Sequence, residues 1–283
     1  MSLPPLRRLG FAFNPTRPAT FELRDRALAW CAQSGAEAWA LESNDQPGLV
    51  QRLPATDCLI VLGGDGTFLR AARALAVVDV PVLGINSGRV GFLSKAEPEA
   101  LEQVLGELVA GEYTLGSRMM LEARIDRAAG GSSDSFAALN DAAVVRGSQV
   151  RVVHIEVSVG GSHVATWMAD GVVVATPTGS TAYSFSAGGP ILDPTARNLI
   201  VTPVAAYLSA VRSIVVGPQH EVSLRVTDGG DCMVSIDGRE DHVLAIGDSV
   251  VVRAFERPLR LVEPRGALDF WELLRRKAAL LPR

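Results

Sequence analysis

The chain has 283 residues, with 27 Lys+Arg against 31 Asp+Glu, a formal charge of −4, 48% hydrophobic and 20% charged residues. That balance excludes a disordered or collagen-like chain and lacks the broad basic footprint of a nucleic-acid binder. Only Lys95 and Lys277 are lysines and neither follows a glycine, which excludes a Gly-Lys-Ser/Thr phosphate loop; any phosphate would be met by backbone N–H groups, arginines or a metal.

The length predicts two domains. Cys31, Cys58 and Cys232 are odd in number and widely spaced, so they read as reduced thiols rather than a disulfide framework or a zinc site. The start of the chain has no long apolar run, and no stretch of about 18 apolar residues occurs anywhere, so the expectation is a cytoplasmic protein with no membrane partner.

Leu9–Phe13 is the first expected strand, ended by Asn14-Pro15, and Phe21–Gln33 the helix after it. Cys58–Leu62 is a continuous apolar run bounded by Asp57 and by Gly63-Gly64, the pattern of a strand buried on both faces. A helix over Thr67–Val77 and a strand over Val80–Ile85 follow. Leu101, Val104, Leu105 and Leu108 then fall at i, i+3, i+4 and i+7, marking another helix. This alternation predicts an α/β domain with a Rossmann-like parallel sheet over residues 1–115.

After Gly111 the turns tighten. Ile155–Val159 and His163–Trp167 flank Gly160-Gly161, and Leu224–Thr227 and Cys232–Ile236 flank Asp228-Gly229-Gly230; both pairs read as β-hairpins. Residues 116–266 are therefore expected to form a mainly antiparallel β domain, interrupted by a helix near Ser180–Ser186. Leu268–Leu280 reads as a final helix whose apolar face packs back on the first domain, residues 267–283 forming this returning segment.

Three segments could carry chemistry. Gly63-Gly64-Asp65-Gly66-Thr67 lies where a buried strand gives way to a helix, the edge of an open α/β sheet where free amides and the helix dipole meet phosphate. Asp65 would repel a phosphate there, so it reads as a proton acceptor, a metal ligand or a helix N-cap. Asn86–Leu93 is a second glycine loop at the equivalent edge one strand along, with Arg89 as a guanidinium and Phe92 as either a stacking ring or a core residue. Asp170-Gly171, an apolar Val172–Ala175 strand, and then Thr176–Pro190 gather small hydroxyls, glycines and Tyr183, groups able to hold sugar hydroxyls and phosphate oxygens. Asn140-Asp141 opens a strand and could read a base edge or form an Asx turn, and Asp237-Gly238 reads as a turn. The four histidines share no ligand spacing.

In combination these residues closely resemble the NAD kinase family. The resemblance rests on Phe13–Pro15 (FNP), Gly63–Thr67 (GGDGT), Asn86–Leu93 (NSGRVGFL), Leu139–Asp141 (LND) and Asp170–Pro194 (DGVVVATPTGSTAYSFSAGGPILDP). GGDGT is shared with diacylglycerol kinases and 6-phosphofructokinases; the long Asp170–Pro194 segment singles out NAD kinases. The resemblance implies phosphoryl transfer from ATP or polyphosphate to the 2′-hydroxyl of the adenosine ribose of NAD, giving NADP, in a homodimer or homotetramer. It implies Mg²⁺ carried by the donor phosphates and no metal held by protein ligands. Asp65 would be the base, with Gly64, Gly66 and Thr67 near the phosphates and Arg70, one turn on, a phosphate contact. Phe92 would lie by the adenine side. Asn140, Asp141, Thr178, Thr181, Ala182 and Tyr183 would hold the adenosine half of NAD, and Asp170 with Ser186 the nicotinamide half. The chain departs from the family pattern at Asp141, where Glu is usual, at Met168, where a basic residue is common, and at Tyr207, where His is common. Two other readings of the scaffold are a lipid kinase of the wider superfamily and a non-catalytic NAD(P)-binding regulator. Phe68-Leu69-Arg70 after GGDGT speaks against the first, and the intact Asp65 against the second.

Overall fold

The computed structural model describes residues 3–88, 91–131, 133–147, 151–207, 212–267 and 269–279. The chain forms two compact units, one running to Ser117 and resuming at Leu259, the other spanning Arg118–Pro258.

In the first unit β1 (Arg8–Phe13) ends at an Asx turn in which Asn14 Oδ1 accepts the Thr16 N–H at 3.0 Å. Helix α1 (Pro18–Ser34) starts one turn earlier than its apolar pattern announces, because Pro18 occupies its first turn, and closes at Gly35 in the left-handed conformation. Strand β2 (Glu37–Glu42, EAWALE) had no sequence signal: it is a short, half-exposed edge strand in which Glu and Ala surround Trp39 and Leu41. Asp45 caps α2 (Gln46–Arg52) by accepting the Gly48 N–H. Then come β3 (Cys58–Leu62), every residue buried, α3 (Asp65–Val77), β4 (Val82–Ile85), α4 (Leu101–Ala110) and β5 (Tyr113–Arg118).

The second unit contains β6 (Leu121–Asp126), β7 (Asp134–Ala138), β8 (Asp141–Arg146), β9 (Val153–Val159), β10 (Ser162–Ala169), β11 (Gly171–Ala175), a 3₁₀ turn leading into the one-turn α5 (Tyr183–Ser186), β12 (Leu199–Val204), β13 (Ile214–Val216), β14 (Val222–Asp228), β15 (Cys232–Ile236), β16 (Glu240–Leu244) and β17 (Ser249–Ala254). One sheet runs β10-β9-β14-β17-β6-β7 and the other β13-β12-β11-β8-β15-β16, with antiparallel neighbours. Ile155, Val157, Leu224 and Val252 from the first sheet and Val144, Val172, Val174 and Val234 from the second share one apolar core, so the unit is a β-sandwich.

The β9–β10 hairpin forms as expected, on Gly160 and Gly161 with φ of 57° and 80°, the positive values a type I′ turn needs. The other expected hairpin does not form. Leu224 and Val226 and, across Asp228–Gly230, Cys232, Val234 and Ile236 all point into the same core, but β14 and β15 belong to opposite sheets. The glycine turn carries the chain across the sandwich instead of folding it back on its neighbour.

The return to the first unit begins with β18 (Leu259–Pro264), ahead of the expected boundary at 266/267. It pairs parallel to β4, completing a sheet of order β2-β1-β3-β4-β18-β5, in which β2, β1, β3, β4 and β18 run parallel. Helices α1 and α4 cover one face through Leu23, Ala27, Leu101, Val104, Leu105 and Leu108. Helix α3 lies on the other, where Gly84, lacking a side chain, leaves room for Phe68. The last helix, α6 (Phe270–Ala279), packs back on this unit through Leu273, buried, and Phe270, whose ring centroid lies 5.8 Å from that of Phe92.

Candidate active site

At the carboxyl end of β3, Gly63 turns the chain with φ 156° and lies against the Thr67 hydroxyl, leaving no room for a Cβ. Gly64 is the N-cap of α3, and its carbonyl accepts the Thr67 and Phe68 N–H groups. Asp65 is therefore not the N-cap that a reading of the pentapeptide alone allows. It is the first helical residue, and its carboxylate points at the second glycine loop. There the Phe92 N–H donates to Asp65 Oδ2 at 3.0 Å and the Leu93 N–H to Oδ1 at 3.1 Å. A side chain at Gly91 would occupy the space of this carboxylate, so the second loop needs glycine where the first loop's aspartate lands. Gly64 faces open space and Gly66 is exposed, leaving first-turn amides of α3 available to an anion. Arg70 donates to Ser43 Oγ at 3.0 Å and to Thr67 Oγ1 at 3.2 Å, which holds its guanidinium beside the turn. The Phe92 ring is half-buried, with Phe270 and the Lys277 ammonium packed on it. Arg89 lies outside the described residues.

In the second unit a cleft of about 640 Å³ opens over the sheet face away from the sandwich core. Strand periodicity explains its floor: Ala143 and Val145 on β8 and Met233 and Ser235 on β15 point into it, while Val144 and Val234 point into the core. Of the residues singled out from sequence, Asn140, Asp141, Asp170, Ala182 and Tyr183 line the cleft; Thr178, Thr181 and Ser186 do not. Thr178 is buried with no partner for its hydroxyl among the described residues, Thr181 Oγ1 donates to the Thr178 carbonyl at 3.3 Å, and Ser186 is exposed with its hydroxyl on the Ala182 carbonyl at 3.4 Å.

The Thr176–Thr181 loop is tied to the Asn140 segment. The Thr176 hydroxyl donates to the Leu139 carbonyl at 2.6 Å and its N–H to the Asn140 carbonyl at 2.8 Å. Gly179 passes so close to the Asn140 carbonyl that a Cβ would overlap it. Two residues of the cleft had no functional signal in the sequence. Asp237, read there as part of a turn, does sit in one, with φ 50°. Its carboxylate also accepts the N–H groups of Leu139, Asn140 and Asp141 at 3.0, 2.8 and 3.2 Å, holding the start of β8 in place. Arg146, at the end of β8, donates Nε to Asp170 Oδ1 at 2.8 Å and its backbone N–H to the Asp170 carbonyl, so the aspartate meets the cleft as half of an ion pair.

Asp141 is buried, and its carboxyl is pushed up from 3.8 to about 7, first by burial and then by the negative charge of Asp237. Burial also raises the Tyr183 phenol, reinforced by Asp170 and Asp141. Among the described residues no three His, Cys, Asp or Glu side chains converge as a metal site would require.

Residues 51–113 match the ATP-NAD kinase N-terminal domain and residues 139–264 the ATP-NAD kinase C-terminal domain. An NAD kinase of Heliobacterium modesticaldum is 38% identical over 95% of this chain and 97% of its own length. The chain belongs to the NAD kinase family. A second NAD kinase, from Symbiobacterium thermophilum, is 47% identical over 78% of each chain. Among solved structures, yeast NADH kinase complexed with NADH superposes with a TM-score of 0.86 at 22% identity, covering 99% of this chain and 89% of that one. An NAD kinase from Archaeoglobus fulgidus in complex with ATP gives 0.77 at 24% identity, over 97% and 100%. NAD kinases are phosphotransferases with an alcohol acceptor, and the cleft and the Asp65 turn fall within the two matched domains.

Proposed function

We propose that the protein transfers the terminal phosphate of ATP, or of polyphosphate, to the 2′-hydroxyl of the adenosine ribose of NAD, forming NADP. The observation that carries this reading is Asp65: a carboxylate held by two backbone amides at the N-terminus of α3, between glycines that leave amides open to phosphate. A phosphate-binding turn has no use for a carboxylate unless that carboxylate acts on the acceptor or on a cation. Phosphoryl transfer proceeds through a loose transition state in which positioning and charge neutralisation dominate. Asp65 orients the attacking hydroxyl and accepts its proton as the new P–O bond forms. Gly64, Gly66 and Thr67 meet the donor phosphates with amides and hydroxyl, and Arg70 contributes positive charge beside them. Asn140, Asp141, Ala182 and Tyr183 hold the adenosine half of NAD in the cleft, with Thr178 and Thr181 shaping the loop behind them, and Asp170 and Ser186 serve the nicotinamide half.

One carboxylate beside helix amides that can take phosphate offers a single oxygen ligand group, which fits a divalent ion that arrives on phosphate better than one held by protein ligands alone. Mg²⁺ carried by the donor phosphates would neutralise their charge, and Asp65 is the carboxylate that would stand beside it. Exposed Val215 and Val243 on the second unit fit a homodimer or homotetramer, which mass in solution tests. Three unpaired, buried cysteines fit a reducing, cytoplasmic setting.

The test is direct. Purified protein with ATP, Mg²⁺ and NAD is expected to form NADP, and Asp65→Asn to lower kcat by at least a hundredfold while NAD binding survives. No NADP with either donor would favour a binding protein without catalysis, and unchanged turnover in Asp65→Asn would remove the role assigned to that carboxylate.

A further inference from the structure

The geometry points to the C-terminal helix α6 as a positioning element for Asp65, acting through Phe92. This rests on the reading of Asp65 as the group that orients and deprotonates the acceptor. The Asp65 carboxylate is fixed by the amides of Phe92 and Leu93, one to each oxygen, so any rotation of that peptide segment turns the carboxylate with it. Leu93 is anchored by burial. Phe92 is half-buried, and α6 packs on its ring. The Phe270 ring packs on it at 5.8 Å, Trp271 braces Phe270 edge-on at 5.1 Å, and the Lys277 ammonium stands 4.5 Å from the centroid of the Phe92 ring. A cation over an aromatic face and an offset ring pair are both attractive and directional.

Both lysines of the chain serve this segment. Lys95, buried, pairs with Glu263 of β18 at 2.8 Å, while Lys277 holds the other end of the segment through Phe92. The segment from Phe92 to Lys95 is held at one end by a cation over its ring and at the other by a buried ion pair. Phe270 and Lys277 are thus positioning residues: they touch no reacting atom and act on the direction of the Asp65 carboxylate. Misplacing a catalytic group by about 1 Å can cost on the order of a hundredfold in rate, so a partial loosening should appear in kcat.

The experiment measures NADP formation, KM values and melting temperature for Phe270→Ala, Phe270→Tyr, Lys277→Met and Lys277→Arg in the full chain. Phe270→Ala is expected to lower kcat about tenfold and Lys277→Met about threefold, with KM for NAD and ATP within twofold. Phe270→Tyr and Lys277→Arg, which keep the ring and the cation, should retain most of the turnover. In an Asp65→Asn background neither loss should appear, since the group being positioned is gone. Unchanged kcat in Phe270→Ala and Lys277→Met, or equal losses with and without Asp65, would overturn the inference. If Phe270→Ala does not fold, the Lys277 pair decides alone. An Asp65→Asn enzyme of full activity would instead overturn the reading on which the inference rests.

Discussion

Replacing Asp141 by Asn changes the protein's response to pH in a way the structure quantifies. Asp141 is only 5% exposed and faces the charge of Asp237, which lifts its carboxyl from 3.8 to about 7. Below pH 3.8 it is protonated in both folded and unfolded chains and adds no difference. Between 3.8 and about 7 the unfolded chain ionises while the folded one keeps its proton, so stability falls as pH rises. Above about 7 the folded form also ionises and the penalty levels off. The rise corresponds to roughly 4 kcal/mol at 1.36 kcal/mol per unit, an upper bound because the ionised carboxylate can draw water into the open cleft. Asn is neutral and nearly isosteric. Relative to the native chain, Asp141→Asn should therefore gain stability progressively between pH 5 and pH 7, by about 1 kcal/mol per unit, and hold that gain at higher pH. Urea unfolding of both proteins from pH 5 to 8.5 measures it. A stability difference independent of pH over that range would refute the reasoning, since Asp141 would then be ionised throughout.

Gly91→Ala places a methyl group in the space of the Asp65 carboxylate; kcat should fall at least tenfold, and stability by about 1–3 kcal/mol as the loop shifts, read by kinetics and by urea midpoint. Gly179→Ala forces the Thr176–Thr181 loop off the Asn140 carbonyl, so affinity for NAD should fall with little change in affinity for ATP, measured by calorimetry with each ligand. Asp237→Ala leaves the amides of Leu139, Asn140 and Asp141 without their acceptor. The cost should reach at least about 2 kcal/mol, and a loss below half of that would mean solvent replaces the carboxylate.

The parts that the amino-acid order announces are those governed by local rules. A parallel strand covered on both faces must be continuously apolar, and Cys58–Leu62 is; a helix covering a sheet must repeat its apolar residues at helical spacing, and Leu101 to Leu108 do. Gly160-Gly161 announces its hairpin because positive φ at two successive residues is a local demand. Asp228–Gly230 carries a similar signal yet crosses between sheets, because alternation along a strand specifies which side chains face the core and leaves its neighbour open. Asp237 and Arg146 had no signal for a comparable reason: a turn aspartate and a strand-end arginine are ordinary until the fold sets three amides before one and Asp170 before the other.

What the sequence determined by itself is therefore the family, the succession of elements, the two glycine loops and most of the cleft's polar residues, since each is encoded within a few consecutive positions. Only the tertiary structure decided that Asp65 rests on the amides of Phe92 and Leu93, that β18 enters the first sheet beside β4, that α6 closes on Phe92, and that Asp141 and Asp237 share one buried corner. Each of these joins positions tens to hundreds of residues apart. Such contacts arise only when the whole chain has collapsed around its cores, where burial and charge act across space and the separation along the sequence no longer counts.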